Sequence, residues 1–327
     1  MTSPVCVACG TDGLRLRYQA APDYITGDRF QVWFCPSCGC GRTSASPETL
    51  AGYYPDEYRQ YNKVIARILQ ILYRRRVARW ANLFATAGSA FEVGCGNGLM
   101  LTILRDLGWR VAGSERTEAA ARIPREQHGL HVVAGGLDAL DPSEQFDLLL
   151  MIQVLEHLDD PQHALRALAA RLKPEGKLII GVPNFSSWQS RFGGDAWFHL
   201  DVPRHLHHFT PRGLIELIGQ PGLDVESVSF VSPEHDPYGW LQSILNRIDG
   251  KPNRLTRLLM RIDRPDPINL LHVAAGCILG VAAMPLSLAS WVAGRGAVME
   301  IICVRRGRVS HQSQKAAPMR AALRLGI

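Results

Sequence analysis

The stretch from Ala90 to Leu107 constrains the fold more than any other part of the chain. Ala90, Phe91 and Val93 make a short apolar run that reads as a buried strand. Leu99, Leu101, Ile103, Leu104 and Leu107 then recur at the spacing of a helix face. Between the two stand Gly94, Gly96 and Gly98 at alternate positions. A strand that feeds a helix through such a turn brings backbone N–H groups and a helix N-terminus close to a ligand. Glu92 occupies the carboxyl end of the strand, where open α/β sheets bind their ligands. A carboxylate there disfavours phosphate and suits a cationic group. The glycine spacing differs from G-x-G-x-x-G and no Lys-Ser/Thr follows, which excludes a P-loop.

Further strand–helix units follow in order. Trp109 to Glu115 reads as a second strand ending in an acid, 17 residues after Gly98. That is close to the spacing at which a carboxylate accepts hydrogen bonds from both hydroxyls of a ribose. Thr117 is placed to cap a helix running through Gln127, and Leu130 to Ala134 supplies a third strand before Gly135-Gly-Leu-Asp138. Phe146 to Ile152 is apolar at nearly every position and reads as a strand buried on both faces. Gln153-Val-Leu-Glu-His157 follows it. Pro161 opens a helix with Ala164, Leu165, Leu168 and Leu172 inward, and Lys173-Pro-Glu-Gly176 reads as the turn into a fifth strand.

The E-x-G-x-G-x-G of the first turn resembles motif I of the class I S-adenosylmethionine-dependent methyltransferases. The segment Glu156-His-Leu-Asp-Asp-Pro161 resembles the one after the fourth strand in members of the ubiquinone- and menaquinone-biosynthesis type and their glycan-modifying relatives. Together these motifs cover Ala90 to Val182. The resemblance implies an α/β fold with a Rossmann-like, seven-stranded mixed sheet, parallel except for one antiparallel strand. It also implies S-adenosylmethionine as cofactor, with Glu92 near its methionine moiety and Gly94, Cys95, Gly96, Asn97 and Gly98 passing close to it. Glu115 would take the ribose and Arg116 the adenine face. Leu137 and Asp138 would reach the adenine edge, and Gln153 would complete the set.

Cys6-Val-Ala-Cys9 and Cys35-Pro-Ser-Cys38 form two C-x-x-C pairs, each followed by glycine. Four thiolates in tetrahedral array make a closed structural zinc site, and Leu14–Tyr18 and Phe30–Phe34 alternate like the strands of a zinc ribbon. Cys40 is a spare thiol and is not expected to ligate. The N-terminus lacks the basic and apolar regions of a signal peptide, so the thiols are read as reduced, in a cytoplasmic setting. From Tyr53 to Trp80 the pattern fits a long amphipathic helix leading into the core.

The acceptor half is less defined. Asp201-Val-Pro-Arg-His-Leu-His-His-Phe-Thr-Pro211 should arch over the cleft before a helix capped by Thr210. His205, His207 and His208 have no fourth ligand at an obvious spacing, so they are not read as a metal site, and Arg204 reads as an anion clamp. His157 and His205 are the candidates to take a proton from an acceptor hydroxyl, since imidazole titrates near working pH. The acceptor expected is a small molecule, a glycan or a lipid-linked intermediate.

Asp224–Val231 and Ala297–Val304 read as an antiparallel pair separated by an insertion. Its second part, Ile268 to Gly294, carries no formal charge and is interrupted by Pro285, leaving two arms too short to span a bilayer. It reads as a hairpin in one leaflet flanked by Arg257, Arg261, Arg264 and Arg295, as an interface or lid, or as a kinked span. Net charge is +6, and the segment Arg305 to Ile327 alone holds six basic residues and no acid. The body is therefore near neutral, which disfavours a nucleic-acid surface. An RNA methyltransferase and a non-catalytic membrane-peripheral protein stay as alternatives. The expected division is a zinc ribbon at 1–45, a lead-in segment at 46–89, the catalytic domain at 90–232 and 296–306, the insertion at 233–295 and a basic tail at 307–327. Oligomeric state is left unassigned.

Overall fold

The computed structural model describes residues 5–45, 50–53, 63–136, 141, 143–260, 262–264 and 266–307. The N-terminal module is a meander of β1 (Arg15–Pro22), β2 (Arg29–Phe34) and β3 (Gly41–Thr43), all antiparallel. Helix α1 (Lys63–Ala81) follows. Its Val77 and Trp80 are fully buried against Ala90 and Leu148, and its Arg76 pairs with Glu300 at 2.8 Å and Glu234 at 2.5 Å.

Strand–helix alternation then begins with β4 (Ser89–Val93), α2 (Leu99–Asp106), β5 (Arg110–Glu115), α3 (Glu118–His128) and β6 (His131–Ala134). It continues with β7 (Phe146–Ile152), α4 (Pro161–Arg171) and β8 (Leu172–Pro183). After α5 (Trp188–Gly193) comes the two-residue β9 (His207–His208), then α6 (Pro211–Gly219) and β10 (Leu223–Ser229). The insertion is helical, with α7 (Asp236–Ile248), α8 (Arg254–Leu259) and α9 (Pro267–Val292), and β11 (Val298–Arg305) closes the domain.

The main sheet has the order β10-β11-β8-β7-β4-β5-β6. Strand β11 runs antiparallel to both neighbours and the other pairings are parallel, as the family resemblance implied. The apolar run of β7 sits near the centre because helices cover both faces of a parallel sheet.

Three features depart from the sequence reading. The Lys173–Gly176 turn is absorbed into β8, where the register with β7 jumps from Phe146↔Leu172 to Leu148↔Lys177. A Cβ on Gly176 would lie 3.0 Å from the Phe146 carbonyl oxygen, so a bare backbone is needed for this crossing. In α9, the 41° bend falls between Pro267–Gly276 and Ile278–Val292, while Pro285 lies inside the second arm. Lastly, β9 joins the N-terminal meander, giving a second sheet of order β1-β2-β3-β9 that stitches the cysteine module to the histidine loop. Among the described residues no single helix is long and apolar enough to cross a membrane.

Candidate active site

Strand β4 lies between β7 and β5, so the carboxyl ends of all three meet at one edge. The turn after β4 holds Gly94, Gly96 and Gly98 at φ of 66°, 60° and 76°. In addition, a Cβ on Gly94 would stand 2.6 Å from Val154, and one on Gly98 would stand 2.4 Å from Leu130 and 2.9 Å from Pro124. Both conformation and space therefore demand glycine. Asn97 folds its Oδ1 back to accept from the Leu99 N–H at 3.2 Å. Cys95 is buried, and burial together with the charges of Glu92 and Glu115 holds its thiol protonated.

Glu92 is 1% exposed and its Oε2 has no hydrogen-bond partner among the described residues. Burial, reinforced by the neighbouring Glu115, raises its carboxyl well above the ordinary range. Such a group is costly as it stands, and a cationic ligand beside it would remove the cost. Glu115 accepts from the Gly96 N–H at 2.5 Å and from the Arg116 N–H at 3.2 Å, which fixes its carboxylate at the end of β5. The Arg116 residue is exposed. Gln153, just past β7, adopts φ of 56° although it is not glycine, and its N–H donates to Gly181 O at 2.7 Å. Its side-chain Nε2 is buried and unpartnered among the described residues. Strained backbone at a ligand-facing edge is a recurrent sign of a site. Leu137 and Asp138 lie outside the described residues.

The orphaned acceptor on Glu92, the orphaned donor on Gln153 and the glycine turn between them are what a ligand with a cationic centre, an amino group and a carboxylate would satisfy. S-adenosylmethionine has all three.

Four residues beyond Gln153 the histidine pair begins. His157 Nδ1 is 2.9 Å from Arg204 O, and His205 Nδ1 is 2.9 Å from His199 O. The two rings stand edge to face with centroids 4.6 Å apart. Glu156 lies beside them, 1% exposed and with no hydrogen-bond partner on either oxygen among the described residues. Its Oε1 is 4.0 Å from His205 Nε2, and burial pushes its carboxyl up to about 8. His205 is driven well below its ordinary value, by burial first and then by His157. Of the other two, His207 Nε2 faces Asp159 O at 3.3 Å, while the His208 ring stands edge to face with His205, centroids 6.4 Å apart, and its Nε2 is 2.9 Å from Thr43 Oγ1. Arg204 is not the anion clamp read from sequence. Its guanidinium is engaged by Asp23 and Asp201, each at 2.7 Å. Glu156 was missed because its Glu-His pair was read for the imidazole alone.

The Sγ atoms of Cys6, Cys9, Cys35 and Cys38 lie within 4.8 Å of one another, with Cys6–Cys38 and Cys9–Cys35 both at 3.5 Å. These four fit a structural zinc ion. Cys40 is outside this group of four but lies beside Cys38, its Sγ accepting from the Thr210 N–H at 3.4 Å.

The profile of a family described as a methyltransferase domain matches residues 65–228, half of the chain. A ubiquinone biosynthesis O-methyltransferase of Ruegeria pomeroyi is 34% identical over 171 residues, covering 48% of this chain and 67% of that protein. The protein of the same description from Cereibacter sphaeroides is 31% identical over 169 residues, with the same coverage. Among solved structures, a SAM-dependent methyltransferase of Thermotoga maritima matches with a TM-score of 0.45 at 19% identity, over 74% of this chain and 92% of that one. The chain belongs to the methyltransferase domain family and is an S-adenosylmethionine-dependent methyltransferase of class I.

Proposed function

We propose that the enzyme methylates a hydroxyl oxygen of a small-molecule acceptor, within a class that takes in glycans and lipid-linked compounds. The observation that carries this reading is the segment from Gln153 to His157. At one end it offers an orphaned donor, and at the other the orphaned carboxyl of Glu156 and the imidazole of His157, which meets His205 from the loop before β9. The relatives named above carry an O-methyltransferase description, which supports oxygen as the acceptor atom.

S-adenosylmethionine, when bound, supplies an electrophilic methyl group on a sulfonium centre. Glu92 would face the positive charge of its methionine part, Glu115 would take the ribose hydroxyls, and Arg116 would cover the adenine. The backbone of Gly94, Cys95, Gly96, Asn97 and Gly98 allows close approach, and Gln153 Nε2 donates to a polar group of the cofactor. On the other side, His157 or His205 would accept the hydroxyl proton as the acceptor oxygen bonds the methyl carbon and the carbon–sulfur bond breaks, the sulfur keeping the electron pair. Water exclusion and in-line alignment supply the rest.

Residues 1–45 brace this site around zinc at Cys6, Cys9, Cys35 and Cys38. Residues 90–232 and 296–306 hold it, and 233–295 provide an apolar contact surface. In α9, Ile278 and Val281 are 74% and 76% exposed, and Arg264 and Arg295 flank the helix. That arrangement suits peripheral contact with the cytoplasmic face of an anionic membrane.

The test is transfer of a labelled methyl group from S-adenosylmethionine to a panel of phenols, quinol precursors and sugars, with an RNA transcript alongside. Transfer to a hydroxylated compound, with a turnover loss of about 10² or more in His157→Gln, is the expected result. Methylation of RNA alone would overturn it.

A further inference from the structure

The turn between β1 and β2 and the loop before β9 are joined by a buried ion pair. Arg204 uses its whole guanidinium: Nε donates to Asp201 Oδ1 at 2.9 Å, Nη1 to Tyr53 O at 3.0 Å and Nη2 to Asp23 Oδ1 at 2.7 Å. Its Cζ lies 4.4 Å from the centre of the Tyr24 ring. The other oxygen of Asp23 accepts from the Thr26 N–H at 2.7 Å and its hydroxyl at 2.9 Å. The Arg204 and Asp23 side chains are 4% and 0% exposed. Burying two charges is costly, and an apolar pair of similar volume would pack as well. What a fully hydrogen-bonded pair adds is a single permitted geometry.

That geometry reaches both imidazoles. The carbonyl of Arg204 is the atom 2.9 Å from His157 Nδ1. Asp201, which takes Arg204 on Oδ1, presents Oδ2 3.8 Å from His205 Nε2. From β3, Thr43 donates its hydroxyl to His205 O at 2.7 Å and its N–H to Leu206 O at 2.9 Å. The N-terminal module thus holds the loop at its side chain and at its backbone.

We propose that Arg204, clamped by Asp23 and Tyr24 of the N-terminal module, is a positioning residue that sets the placement of His157 and His205, so that this module is part of the acceptor half of the active site. The inference rests on the proton-accepting role assigned to those histidines above. The groups that face His205 are Glu156 and His157 from the segment after β7, His208 from β9, and Asp201 from its own loop. Asp23 and Thr43 reach the loop from the N-terminal module and can be altered while every one of these groups is kept.

The test uses full-length, zinc-loaded protein and the variants Asp23→Asn, Asp23→Glu and Thr43→Val, with ring signals of His157 and His205 followed by nitrogen–proton NMR across pH. Zinc content and calorimetry with S-adenosylmethionine serve as controls. Asp23→Asn should keep zinc and bind cofactor within about twofold of the parent, yet shift the His157 and His205 ring signals and their midpoints. With an acceptor in hand it should lower kcat about tenfold or more while the KM for S-adenosylmethionine holds. Asp23→Glu should restore much of both, and Thr43→Val should move His205 more than His157. Unchanged ring signals and midpoints in Asp23→Asn and Thr43→Val overturn the proposal. So does loss of cofactor binding together with the ring changes in every variant, because the pair would then serve folding alone. If the wild type transfers no methyl group to any hydroxyl, the functional reading fails while the ring signals still decide whether the clamp exists.

Discussion

Glu92 is a buried acid whose Oε2 has no partner among the described residues, and its behaviour with pH follows from its burial. Without ligand the carboxyl is held well above its ordinary range, by burial first and then by Glu115. A cationic ligand favours the ionised form, so binding releases a proton and affinity rises with pH up to the ligand-free titration point. Calorimetry in two buffers of different ionisation heat checks this, and a pH-independent affinity with no proton release contradicts it. Glu92→Gln should weaken binding about tenfold or more, since a charge-assisted contact is worth about 1.5–3 kcal/mol. Glu92 and Glu115 stood out in the sequence because each is an acid at the carboxyl end of a strand-like run, close to a turn. Arg204 was misread for the opposite reason: its partner Asp23 is 181 residues away in the chain, and a buried arginine with two carboxylates looks, in sequence, like any exposed one.

The strand–turn–helix unit from β4 to α2 was legible because its three glycines answer to local sterics. Gly98→Ala combines a φ of 76° with contacts of 2.4 and 2.9 Å. It should cost about 1–3 kcal/mol, read as a lower midpoint in urea, and should abolish tight cofactor binding. The cysteine module was legible in its ligands and not in its partner, since β9 contributes only two residues and carries no strand pattern of its own. Ala8, Cys35 and Cys38 share an apolar cluster with Phe209 and Leu214, so metal loss should be felt beyond the ribbon. Cys35→Ser is expected to lower zinc content and reduce the thermal midpoint by roughly 5 °C or more. A zinc-free variant with an unchanged midpoint contradicts this. Helix α9 was misjudged at Pro285. The carbonyl that loses its donor there belongs to Val281, a residue 76% exposed, where water can take over the hydrogen bond and the helix continues.

At the scale of the whole molecule, one sheet and two appendages share the work. The seven-stranded mixed sheet with its single antiparallel strand was implied by the family resemblance, while the packing of α1 was not. Arg76 of that helix bonds Glu300 of β11 at 2.8 Å, a contact between the lead-in helix and the last strand that no local pattern announces. The insertion is pinned at its base by Trp291 Nε1, which donates to Asp236 Oδ2 at 2.6 Å, and leaves the outer face of α9 apolar. Flotation with anionic vesicles should recover the parent protein, and Ile278→Asp with Val281→Asp should reduce that recovery with the fold intact. Equal recovery removes the membrane from the account. The central claim, that the β4 turn with Glu92 and Glu115 forms the cofactor site, has a direct measurement. Calorimetry of the folded, zinc-loaded protein with S-adenosylmethionine should give a dissociation constant on the order of micromolar, weakened about tenfold or more in Glu92→Gln and in Glu115→Gln. No heat from the parent protein, or the same affinity in all three, would contradict it.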